Sequence, residues 1–271
     1  MALCSDVMGQ THTHAVLGFR DRLIASIEDA RDQLTHRDAN AAAHRCRVAL
    51  KRARALARLA RLAAPDAARA LNTQARAVMA ALSASRDAAA MADAARFAAA
   101  GARPKAKAAL LLVAQRLAGS AAVTAPDALK AVKADLARLL IRAKAFPPVS
   151  DADLVKGAEV LEAKAHRAFL KAHGRGCAER RHAWRKRAKD VQVAGKMLGP
   201  VWRRHGRPNA AAAVGQALGA ERDLLLLEDK LRDEPALAGR ARAAAKAIQS
   251  IRLARRCMGA HADRLGAKLY R

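Results

Sequence analysis

Proline divides this chain into long alanine-rich stretches with almost no strand-forming residues, so the fold has to be built from helices. Pro65, Pro104, Pro126, Pro147, Pro148, Pro200, Pro208 and Pro235 punctuate runs of Ala, Leu, Arg and Lys, which are strong helix formers. Aromatic residues make up only 3% of the 271 residues, although the hydrophobic share is 52%, most of it alanine. Pro65-Asp66 and Pro126-Asp127 place Pro and an acid where a first helical turn favours them. Helical stretches are expected at roughly 12–38, 40–63, 66–100, 104–120, 126–145, 151–173, 177–199, 208–233 and 236–268. The class is all-α, with small alanine faces that let helices approach closely.

A basic helical signature occurs twice. His44-Arg45-Cys46-Arg47-Val48-Ala49-Leu50-Lys51 is echoed 138 residues later by His182-Ala183-Trp184-Arg185-Lys186-Arg187-Ala188-Lys189. In both copies His, Arg and Lys fall at relative positions 0, +3 and +7, which lie at about 0°, 300° and 340° around a helix. They therefore form one narrow stripe. Arg54 and Arg58 continue the first stripe along about 21 Å of helix, with Cys46, Ala49, Ala53, Leu56 and Ala60 opposite as the core face. Lys196 extends the second stripe and Lys186, at about 40°, borders it, while Gln192 stands where the first copy has Arg54.

A second motif repeats in the same order. Leu82-x-x-x-Arg86-Asp87 recurs as Leu218-x-x-x-Arg222-Asp223, at an offset of 136. Two motifs with nearly equal separation point to an internal duplication that gives two similar helical bundles of four or five helices each, residues 12–145 and 151–271, joined at Phe146-Pro147-Pro148-Val149-Ser150. Arg86 and Arg222 extend the basic surface; Asp87 and Asp223 orient neighbouring cations. Trp184 and Trp202 are expected in the core.

The chain carries 51 Lys and Arg against 24 Asp and Glu, a net charge of +27. Like charges at i,i+3 and i,i+4 repel by about 0.2–0.5 kcal/mol per pair, so such stripes oppose folding unless an anion compensates. Phosphate suits them: Arg offers a planar fork, Lys a mobile point charge, and a protonated His a further donor that a polyanion would favour.

Other classes fare worse. Cys4, Cys46, Cys177 and Cys257 are far apart with no CxxC, against a disulfide scaffold or structural zinc and in keeping with a reducing cytoplasm. Met1 to Gln10 lack a secretory pattern, and no apolar run spans a bilayer. Alanine faces supply little for insertion into a lipid surface. His12-Thr13-His14 and the pair His166 and His173 lack completing carboxylates, so neither a metal, a cofactor nor catalysis is expected. Binding of the nucleic-acid duplex backbone is the alternative; two Trp, one Tyr and four Phe leave single strands few stacking platforms.

The sequence resembles the conserved-histidine α-helical domain, or CHAD, family. The resemblance lies in His44-x-x-Arg47-Val48-x-x-Lys51-Arg52-x-Arg54, Arg86-Asp87, His182-x-Trp184-Arg185-Lys186-Arg187-x-Lys189 and Arg222-Asp223, and covers about Val16 to the C-terminal helix. It implies two pseudo-symmetric four-helix bundles whose basic helices face a shared groove that binds long-chain inorganic polyphosphate, often at polyphosphate granules. Carried over by position, the groove comprises His44, Arg47, Lys51, Arg54, Arg58 and Arg86, with His182, Arg185, Lys186, Lys189, Lys196 and Arg222. Relatives fused to a triphosphate-hydrolysing CYTH domain carry a strand-borne Glu-x-Glu-x-Lys run. Glu159-Val160-Leu161-Glu162-Ala163-Lys164 has the wrong spacing and falls in a helical stretch.

Overall fold

The computed structural model describes residues 18–82, 86–119, 126–174, 176–202 and 207–271. Among them it is 88% helical with no strand. The ten helices are α1 Phe19–Asp32, α2 Ala39–Leu59, α3 Pro65–Ala81, α4 Arg86–Ala100, α5 Pro104–Gly119, α6 Pro126–Lys144, α7 Asp151–Ala172, α8 Ala178–Leu198, α9 Arg207–Asp233 and α10 Ala241–Leu269. Pro65, Pro104 and Pro126 each open a helix, where the missing N–H costs nothing. One expected stretch, 66–100, is two helices rather than one. The first ends at Ala81 and the second starts at Arg86; the sequence between them carries Ser83 and Ser85, a residue type that is unfavourable inside a helix.

Packing does not follow chain order. α1, α2, α3 and α6 pack together, and α2 also touches α7 and α8. The α4–α5 hairpin leaves these neighbours and packs on α9 and α10. Buried side chains accordingly form two clusters. The larger runs through α1, α2, α3, α6, α7 and α8 and takes in Trp184, Phe146, Leu50 and Leu59. The smaller joins Leu110, Val113 and Leu117 of α5 to Leu224, Leu227 and Leu231 of α9 and Ile251 of α10. Trp184 and Trp202 are both buried, as expected.

Small residues set the helix spacing. A Cβ at Gly157 of α7 would lie 2.0 Å from the Leu59 carbonyl oxygen, so glycine is required where α7 crosses the end of α2. The close crossing keeps α2 against the second half of the chain, with its predicted core face (Cys46, Ala49, Ala53, Leu56, Ala60) fully inside. Burial pushes the Cys46 thiol up to about 12, which makes it a core residue rather than a nucleophile.

Candidate functional site

With its alanine face buried, α2 turns its basic stripe outward. α8 does the same by burying Trp184, Ala188, Val191 and Ala194. Because the two helices touch, both stripes border a single cleft of about 1310 Å³. His44, Arg47, Lys51, Arg54 and Arg58 line it from α2; His182, Arg185, Lys186, Lys189 and Lys196 line it from α8; Arg222 lines it from α9. Gln192 and Asp223 lie in the same wall. The side chain of Arg86, like His12-Thr13-His14, lies outside the described residues.

Four further cations that the repeat did not single out share the cleft: Arg22 of α1, Arg52 of α2, Arg76 of α3 and Arg187 of α8. Arg52 and Arg187 belong to the quoted motifs but sit off the stripe, so angle alone missed them. Arg22 and Arg76 belong to helices with no repeated motif, and only tertiary packing brings them here. The lining thus holds thirteen Lys and Arg and two acids, Asp190 and Asp223.

Some of these cations also hold the structure together. The Arg58 guanidinium donates to Asp190 Oδ1, from Nε at 2.9 Å and from Nη2. Asp190 is buried on α8, so this ion pair ties the end of α2 to α8. Arg187 reaches the other Asp190 oxygen at 3.4 Å. Asn72 Oδ1 accepts from Arg54 Nε at 2.9 Å and from Arg58 Nη1 at 3.3 Å, which fixes both guanidinium planes from α3. Arg47 Nη1 donates to the Met79 carbonyl, and Arg22 Nη1 to the Lys196 carbonyl at 3.4 Å. Each contact removes rotamer freedom that a mobile cation would otherwise lose on binding an anion.

The positive charge in the cleft is poorly compensated. The Lys186 ammonium is pushed below its usual value by burial, then by Arg54, Arg187, Arg222 and Arg76, which project from four helices. Arg54 is lowered by burial, then by Arg58 and Arg76, with Asp190 opposing. His182 falls to about 4, through burial first and then Arg222, Lys186 and Arg185. The histidine is therefore neutral near pH 7 in the unliganded protein. The expectation of a protonated donor at this position applies only once an anion has entered, because the surrounding cations outweigh any local acid.

The cleft's cationic side chains can hold several anionic oxygens at once. Among the described residues, no group of three or more His, Cys, Asp or Glu could hold a metal ion. No described helix is long and apolar enough to cross a membrane. His166 instead stacks on Tyr270 at 5.1 Å, and His173 lies against Phe169. Glu159, Glu162 and Lys164 fall within α7, a helix and not a strand.

No curated protein and no solved structure matches the chain significantly. The CHAD domain model matches residues 21–232, from the first turn of α1 to the last turn of α9, and stops short of α10. A match that spans both basic helices and most of the chain shows that the protein belongs to the CHAD domain family.

Proposed function

We propose that this protein binds long-chain inorganic polyphosphate in the cleft between α2 and α8, without chemical turnover. The family is known for polyphosphate binding. The observation that carries the reading is the convergence of thirteen Lys and Arg from α1, α2, α3, α8 and α9 on one cleft with two acids. Mutual repulsion among those groups is relieved when phosphate oxygens enter, so the charge that opposes folding becomes binding energy. The two basic helices, α2 and α8, one from each half of the duplicated sequence (residues 12–145 and 151–271), grip one polymer. This reading places the protein in the cytoplasm, at polyphosphate granules where they form.

Polyphosphate fits better than nucleic acid for a specific reason. Among the described residues lining the cleft there is no Phe, Tyr or Trp. Bases would find no stacking platform, whereas a polymer of bare phosphates needs none. Duplex DNA, the alternative, would have to bind through backbone contacts alone.

The test is a titration with tripolyphosphate, long-chain polyphosphate and duplex DNA at matched phosphate concentration. The long chain binds far more tightly than tripolyphosphate, because only it occupies both stripes at once. Lys51→Glu combined with Lys186→Glu weakens it and flattens the salt dependence by about 0.7 in log–log slope per lost contact. Equal affinity for tripolyphosphate and the long chain, or tighter binding of DNA, overturns the reading.

A further inference from the structure

Arg222 and His182 line a second pocket as well as the main cleft. This smaller cavity, about 440 Å³, lies between α8, α9 and α10. Its two acids are engaged: Glu221 and Asp263 accept from buried Arg181 at 2.7 and 2.9 Å. Arg181 also donates to the Ala172 and Gly259 carbonyls, so this network is structural. Arg222, Arg255 and Arg256 supply the rest of the pocket's charge.

Arg255 is held in place from below. Its Nη1 lies 3.3 Å from Glu228 Oε2, a carboxylate 1% exposed that also takes Arg232 and Arg252. Asp229 also takes Arg232, at 3.3 Å, so two carboxylates among three guanidiniums leave one positive charge in surplus on the α9–α10 surface. His182 lines both cavities, and its Nδ1 is buried without a hydrogen-bond partner. A buried polar nitrogen in that state is destabilising, and a phosphate oxygen that accepts from it relieves the cost.

We propose that the phosphate polymer does not end in the α2–α8 cleft. It continues over Arg222 and His182 into the second pocket, where Arg255 and Arg256 of α10 hold a further stretch of chain. The inference rests on polyphosphate being the ligand of the cleft. Guanidinium forks match the non-bridging oxygens of successive phosphates, and the pocket's four guanidiniums, Arg181, Arg222, Arg255 and Arg256, outnumber its two carboxylates, Glu221 and Asp263. α10, which supplies Arg255 and Arg256, lies beyond the residues the family model matches.

The experiment uses the full chain and long-chain inorganic polyphosphate with four variants. Arg256→Glu reverses an exposed charge in the second pocket, and Arg256→Gln removes it with least risk to folding. Lys51→Glu perturbs the main cleft, and Arg69→Glu, on the exposed start of α3, controls for net charge. Arg256→Glu weakens binding several-fold more than Arg69→Glu and lowers the salt slope by about 0.7, and Arg256→Gln does so to a lesser degree. Long polyphosphate also slows alkylation of exposed Cys177, whose neighbours Gly176 and Ala178 line the pocket, by neutral iodoacetamide. Arg256 variants that behave like Arg69→Glu, with Cys177 unprotected, overturn the extension. If Lys51→Glu still weakens binding in that case, the proposed function stands. Loss of effect from Lys51→Glu as well overturns both.

Discussion

Replacing Asp190 by asparagine should make the protein less stable and its polyanion binding stronger. Asp190 is 2% exposed and takes Arg58 through two nitrogens and Arg187 through a third. Removing one partner of a buried pair typically costs about 3–5 kcal/mol, because the other charge is stranded. Arg58 retains its 3.3 Å bond to Asn72, and its side chain is 25% exposed, so water recovers part of that loss. An expected cost of about 2 kcal/mol follows. For a protein of this size it lowers Tm by about 4–8 °C. In the same variant the cleft loses one of its two acids and Arg58 is released toward the ligand. Long polyphosphate should then bind with a salt slope steeper by about 0.7. Saturating ligand restores much of the melting temperature, since about 2.7 kcal/mol is available at a hundredfold excess over Kd. Thermal melts with and without polyphosphate, paired with titrations at several salt concentrations, measure both effects. An unchanged Tm would show that Arg58–Asp190 does not hold α2 to α8, and weaker binding would show that Arg58 is not released.

Two other expectations concern the histidine and a helix crossing. His182 is lowered from 6.5 to about 4 in the folded protein, so between those values the unfolded chain takes the proton and the native one does not. Its contribution to stability is whole above pH 6.5 and is lost as pH falls through about 4. Bound polyphosphate raises the value, so calorimetry at pH 5 in buffers of different ionisation enthalpy records proton uptake on binding; equal uptake by His182→Gln refutes this. Gly157→Ala drives a methyl group into the Leu59 carbonyl and costs about 3 kcal/mol, read as a lower urea midpoint with unchanged slope. A midpoint equal to wild type would mean the crossing yields freely.

Much of this protein is local and therefore legible in one dimension. Helix propensity, proline at first turns and the 3.6-residue period depend on neighbours in sequence, and they place the helices and sort α2 into a buried alanine face and a basic face. The repeat of His, Arg and Lys at 0, +3 and +7 marks α2 and α8 as related without coordinates. The break at Leu82 was missed because the stretch on either side is equally alanine-rich, and two serines carry the whole signal.

Tertiary structure decided the remainder, for reasons no spacing encodes. Arg22 and Arg76 reach the cleft only because α1 and α3 pack on α2, and the α4–α5 hairpin meets α9 and α10 from over a hundred residues away. Arg58 reads as one more cation of the stripe until Asp190, 132 residues distant, turns it into a tie between helices. The neutrality of His182 comes from burial and from Arg222 on another helix as much as from its own neighbours. Periodicity fixes which way a side chain points from its own helix. What stands opposite, and hence the charge and wetness of the space between, is set by packing alone.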